Sequence, residues 1–245
     1  MKQSDAQILI SAPDGNIGKP GKTGANGALG HDGDDGSCHY TSGWRKKLVC
    51  DCGTDGIDGT PASRGGNGGN GANGSAAPVF NLFYHNLTGS LLIWSQGGAG
   101  GDGGVGGTGG AGGGGGNGGT NEAACTDNVD QVPQCDLTRG GNGGDGGDGG
   151  PGGNAGSGGS GGTVTVYYYA DAPGNVSGQT PGGAAGHGGG SGEGGIGGPG
   201  GANESAAEGD DPTYAPAGTN GGSGSIGQNG NTGPNGSMIY KHVTA

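Results

Sequence analysis

The chain has 245 residues, 75 of them glycine, where ordinary usage is about 7%. Hydrophobic residues make up 27% and aromatic residues 4%, too little to fill a conventional core, which excludes a TIM barrel, a Rossmann domain, a helix bundle and a β-sandwich. Nine basic against 21 acidic residues give a net charge of −12, a poor balance for gripping nucleic-acid phosphates.

The chain opens with Ile8-Leu9-Ile10, which reads as a short strand. This apolar stretch is far too short for a secretory h-region. If the protein is secreted, another route or a signal removed earlier is expected, and a virion protein would need neither. Glycine then recurs every third residue from Gly15 to Gly36 and again from Gly53 to Gly74, with Ala62 in one place. The tracts 97–119 and 140–162 double the glycine into GGX triplets, and 182–201 follows less regularly. A last tract, 218–236, returns to single glycine.

A period of three matches the polyproline-II helix, which has no internal hydrogen bonds and rises ~3.1 Å per residue. Glycine lets a neighbouring rod approach closely, and the outward N–H and C=O groups need partners that such a rod supplies. Six tracts of similar length argue against disorder. Collagen would want far more proline than the 12 residues present and has no use for GGX. Calcium-binding β-rolls repeat every nine residues. The expected fold is one domain over 1–245, a bundle of six antiparallel polyglycine-II helices. Short β-strands would cap one end and disulfide-stapled loops the other. GGX rods, with two bare faces, should lie inside, and the first and last tracts outside.

Up-and-down topology sorts the connections into two ends. The base collects both termini and segments 75–96 and 163–181. It holds nearly all the apolar strand-like sequence, including residues 79–84, 91–94, 164–169 and 238–240, with a hairpin turn at 85–90. One reading is a cap that closes the bundle. The other is a docking surface for a fibre or neighbouring subunit, with Ile8, Leu9, Ile10, Phe83, Trp94, Tyr168, Ile239 and Tyr240 as assembly candidates. The tip collects 37–52, 120–139 and 202–217. All five cysteines lie there: Cys38, Cys50, Cys52, Cys125 and Cys135. Cys125 with Cys135, and Cys38 with Cys50 or Cys52, are the expected pairs, which imply an oxidising compartment and one cysteine left over.

His39, Tyr40, Trp44, Arg45, Lys46, Lys47, Asp127, Asp130 and Tyr214 make the tip a candidate receptor-binding surface, since aromatic residues and arginine carry affinity on rigid loops. Carboxylates at Asp32, Asp34, Asp35, Asp51, Asp55, Asp58, Asp145 and Asp148 would suit calcium. No EF-hand spacing is present, and solvated charge is the preferred reading. Zinc on Cys38, His39, Cys50 and Cys52 is a weaker option because C-x-C is not the usual ligand spacing. No catalytic motif occurs and there is little apolar material for a pocket, so an enzyme is not expected.

The single-glycine outer and double-glycine inner tracts resemble the springtail (snow flea) antifreeze proteins. The segments GGAGGDGGVGGTGG (97–110) and RGGNGGDGGDGGPGG (139–153) also resemble the glycine-rich adhesins at the tips of phage long tail fibres. The second resemblance implies a sandwich of polyglycine rods whose distal loops contact a surface receptor. The expected function is a non-enzymatic extracellular or virion surface protein that binds a receptor or glycan through its tip, without membrane insertion. A filament or surface-layer subunit and an ice-binding protein are the alternatives.

Overall fold

A computed structural model describes residues 2–126, 135–169, 174–205 and 211–244. Its regular elements are mostly strands. In chain order they are β1 (Ile8–Ser11), β2 (Ser37–Tyr40), β3 (Leu48–Asp51), β4 (Phe80–Tyr84), β5 (Ser90–Gln96), α1 (Ala123–Thr126), β6 (Thr163–Tyr168), β7 (Asn175–Gln179) and β8 (Ser237–His242). One 3-10 turn, Gln3–Asp5, precedes them. The strands form three sheets, ordered β1-β5-β7, β2-β3 and β4-β6-β8.

The expected bundle of six polyglycine-II helices is therefore corrected. No six-helix bundle is present among the described residues, and the only α-helix has four residues. The physical reason lies in the hydrogen bonds. The regular hydrogen-bonded elements are strands in three sheets, and the glycine tracts between them are extended connections whose backbone bonds run to neighbouring tracts. A triplet in the third tract shows the pattern. Gly106 N–H donates to Gly190 O, Gly107 N–H to Gly66 O, and Gly107 and Thr108 carbonyls accept from Gly150 and Gly24 N–H, at 2.8–2.9 Å. That one triplet bonds to the fifth, second, fourth and first tracts.

The pattern repeats along the chain and builds two layers, tracts one-three-five and two-four-six. The third and fourth tracts, both GGX, each bond to four others, whereas the first and sixth each bond to two. Glycine is required by proximity. A Cβ built on Gly107 would collide with Lys22 O, whereas at Gly114 the nearest atom would be Pro199 Cγ at 3.4 Å.

At the base each layer becomes a parallel sheet. Ile8 pairs with Ile93 and Leu91 with Val176 in one, Phe80 with Val164 and Val164 with Met238 in the other. Alternate residues turn inward, the period-two pattern of a half-buried strand. Ile93, Val164, Val166 and Val176 form the buried core, flanked by Ile8, Ile10, Phe80, Leu82 and Met238. Residues 85–90 are not the turn of a hairpin: they carry the chain from β4 in one sheet to β5 in the other, with Gly89 at φ 90°. The polar strand β7 has no alternating apolar signal and was not expected.

Of the assembly candidates, Ile8 and Ile10 pack on the core. The Trp94 indole N–H donates to Gln96 Oε1 at 3.0 Å, and Tyr240 donates to Val176 O at 2.9 Å. Leu9, Phe83 and Ile239 face outward. Tyr168 packs its ring against His242 at 5.4 Å.

Candidate functional site at the stapled tip

The sequence from Ser37 to Asp51 folds as an antiparallel ribbon in which Ser37 pairs with Asp51 and Tyr40 with Leu48. Its turn is closed by Thr41, whose N–H donates to Lys47 O at 2.8 Å while its hydroxyl accepts from Lys47 N–H at 3.0 Å. Gly43, at φ 139°, supplies a backbone conformation that other residues rarely adopt. The ribbon therefore displays Trp44, with Arg45 and Lys46 also exposed beside it. Trp44 is 102% exposed and Tyr40 67%. His39 Nδ1 lies 3.8 Å from the Asp51 carboxylate, both in solvent.

The disulfides differ from the expected pairing. Cys50 joins Cys125 and Cys52 joins Cys135, and Cys38 is free. The reason is local. Cys50 and Cys52 are two residues apart on an extended segment, so both thiols point the same way, towards segment 120–139. The bridges thus lock two loops together in place of stapling each to itself. They also occupy two of the four ligands considered for zinc. The Cys38 Sγ–H donates to Glu122 Oε2 at 3.6 Å, and desolvation, then the Glu122 charge, push that thiol's pKa up.

The third loop is tied in by Glu204. Its carboxylate accepts from Asn121 N–H, from the Asn121 side-chain amide at 2.7 Å and from Thr138 N–H at 2.9 Å. Asn121 Oδ1 in turn accepts from Gly53 N–H at 2.8 Å, and Thr138 Oγ1 donates to Gly119 O. Charge-assisted bonds of this kind are the stronger ones, so this half-buried network fixes the second and third loops to each other and to the start of the second tract, while the disulfides tie in the first loop. Tyr214, 63% exposed, pairs with Ala202 across the third loop.

Beside this network lies an open cleft of about 1170 Å³ lined by Thr54, Asp55, Asp136, Leu137, Thr138, Arg139, Asn203, Glu204 and Thr213. None of the residues singled out from sequence at His39 to Lys47 lines it. Asp127 and Asp130 lie outside the described residues. The sequence reading missed Arg139, Asn203 and Glu204, whose one signal is their position at the junction between a loop and a glycine tract.

The carboxylates read as solvated charge have a further task. Asp32 accepts from Asn117 N–H, Asp35 from Thr120, Asp55 from Arg139, Asp58 from Asn142 and Asp148 from Gly222, all at 2.6–2.8 Å. Asp145 accepts from both the N–H and the hydroxyl of Thr219 at 2.7 and 2.8 Å. These bonds hold its pKa below the usual carboxylate value. In these triplets the X residue has an N–H that no neighbouring backbone reaches, and an Asp or Asn on the adjacent tract caps it. Among the described residues, no three metal-ligating side chains converge, and no helix is long and apolar enough to cross a membrane.

Comparison with known proteins adds little. No family model matches the chain, and no curated protein matches it, so neither supports the likeness to phage tail-fibre adhesins. Among solved structures it is similar to the springtail antifreeze protein of Granisotoma rainieri, described as a nine polyproline type II helical bundle. The two are 25% identical over 89% of this chain and 93% of that one, with a TM-score of 0.13. The resemblance to springtail antifreeze proteins thus has a weak counterpart, and at that score it carries no structural conclusion.

Proposed function

We propose that the protein is a non-enzymatic recognition unit, exposed outside the cell or on a virion, that binds a surface receptor or glycan through its tip. One observation carries the reading. Three loops are locked by two disulfides and the Glu204 network, and they hold Trp44, Tyr40 and Tyr214 in solvent. Fixing the loop backbone that carries exposed aromatic side chains lowers the ordering cost of binding. The two disulfides are consistent with an oxidising, extracellular setting.

A laterally growing filament is less well supported. Three of the last layer positions are guarded: Gly182, Gly188 and Gly197 N–H groups, which would donate to a further tract, donate to Asn235, Asn229 and Asn220 side chains, while those of Ser191, Gly194 and Gly200 have no partner among the described residues. The test is a binding screen of the labelled protein against arrayed glycans and immobilised cell-surface proteins. The Trp44→Ala, Tyr214→Ala variant should lose the signal at unchanged melting temperature. Retained binding in that variant refutes the tip reading.

A further inference from the structure

Charge is unevenly placed on this molecule. The chain carries 21 acidic and nine basic residues. Three of the nine stand in a row, Arg45, Lys46 and Lys47, and no two of the other six are adjacent in sequence. These three lie in the turn of the β2-β3 ribbon, all exposed, directly after Trp44. Among the described residues the side-chain ion pairs are His39 with Asp51 and His187 with Asp102, so none of these carboxylates neutralises the three cations. Nor does the turn need them, because its closing bonds join Thr41 to the backbone of Lys47.

The ribbon also sets these cations apart from an acidic foot. Asp32, Asp34 and Asp35 precede it, and Asp51, Asp55 and Asp58 end and follow it. Lys47 stands four residues before Asp51, which is about 14 Å of extended chain at ~3.4 Å per residue. Arg45 and Lys46 lie beyond it in the turn. Charges in solvent are screened over about 8 Å at physiological ionic strength. Along the ribbon, the negative charge of the foot is therefore largely screened at the turn, and an anion approaching the turn meets three positive charges first.

We infer, resting on the reading of the tip as the recognition end, that this turn grips a polyanionic glycan, a chain of sulfated or carboxylated sugars. Arg45, Lys46 and Lys47 would pair with its acidic groups, the arginine by two parallel bonds. The flat indole of Trp44 would cover the apolar face of one sugar ring. Other polyanions fit less well. A nucleic acid duplex is a stiff rod that needs basic residues along several successive phosphates, and here the acidic foot flanks the turn. Anionic lipid marks the cytoplasmic leaflet, whereas the two disulfides belong to an oxidising compartment. A single glycan chain can reach the turn without lying over the foot.

The probe is heparin, immobilised, with the full disulfide-bonded chain in solution and neutral dextran as the control polysaccharide. Heparin should bind saturably and dextran should not compete. With three charge contacts, affinity should fall on the order of tenfold between about 50 and 200 mM salt. Arg45→Gln with Lys46→Gln should weaken binding about tenfold or more at low salt, and Trp44→Ala should weaken it too. Lys19→Gln with Lys22→Gln removes the same charge from exposed residues of the first tract and should leave binding unchanged. All these side chains are exposed, so every variant should melt at the wild-type temperature. Absence of heparin binding at low salt, equal loss in the two charge pairs, or tighter binding to duplex DNA or to phosphatidylserine vesicles than to heparin would each overturn the inference. A neutral ligand from the screen that is lost on Trp44→Ala, Tyr214→Ala but held by Arg45→Gln, Lys46→Gln would overturn it and leave the tip reading standing. A ligand held by both variants would remove the two together.

Discussion

Removing the disulfides one at a time and together tests how the tip is held. Cys50–Cys125 spans 75 residues and Cys52–Cys135 spans 83. On the chain-entropy estimate, a first bridge over a loop of that size restricts the unfolded chain by about 4.5 kcal/mol. The second bridge then closes a much smaller ring, running from Cys50 to Cys52, across one disulfide and along from Cys135 to Cys125. That ring has about 15 residues and is worth about 3 kcal/mol. Cys50→Ala with Cys125→Ala should therefore cost about 3 kcal/mol, and so should the other pair. Removing both should cost about 7 to 8 kcal/mol, more than the two single losses together. Urea unfolding with a fitted midpoint and slope measures each value. Two single losses of about 4.5 kcal/mol that simply add would refute the reasoning, because the bridges would then be closing independent loops.

Gly107→Ala should prevent folding, because the new methyl group would strike the Lys22 carbonyl. Gly114→Ala, which meets only the end of Pro199, should fold normally, as circular dichroism and melting will show. Ser95 is fully buried and its hydroxyl has no partner among the described atoms, so Ser95→Ala should raise stability by about 1 kcal/mol in the same urea assay. The Asp145 pKa is lower folded than unfolded. Its contribution is therefore present above the unfolded carboxylate value and disappears as pH falls through the folded one. Asp145→Asn keeps an acceptor for Thr219, so its melting temperature should fall less than that of the wild type between pH 5 and about 2.

The glycine positions located the close contacts because a missing Cβ is visible in a sequence. Gly107 and Gly153, for example, sit where a neighbour's backbone leaves no room. The division between an apolar base and a cysteine-bearing tip was legible for the same reason: loops and strands differ in composition. The fold class was not. A three-residue period fixes how a tract repeats, but in this structure the regular hydrogen-bonded elements are strands, two of which, β2 and β3, sit at the tip where none was expected. The cysteine pairing was also hidden. It depends on how segment 37–52 lies against 120–139, a relation set by tract packing. The roles of Asp32, Asp58 and Asn70 were missed because an exposed Asp or Asn looks like solubilising charge or polarity. The overlooked signal is arithmetic. Asp32 caps Asn117 at a separation of 85 residues, and Asp14 caps Ala99 at the same separation. Asp58 caps Asn142 and Asn70 caps Asn154, both at 84.

The most direct test of the account separates the two ends of the molecule on one target. With the strongest ligand from the glycan and receptor screen immobilised, binding is measured for the wild type, the Trp44→Ala, Tyr214→Ala tip variant and the Phe83→Lys base variant. The account predicts that the tip variant loses at least tenfold in affinity while the base variant binds as the wild type does. Loss of binding on Phe83→Lys with the tip variant unaffected would contradict it and move the recognition surface to the base.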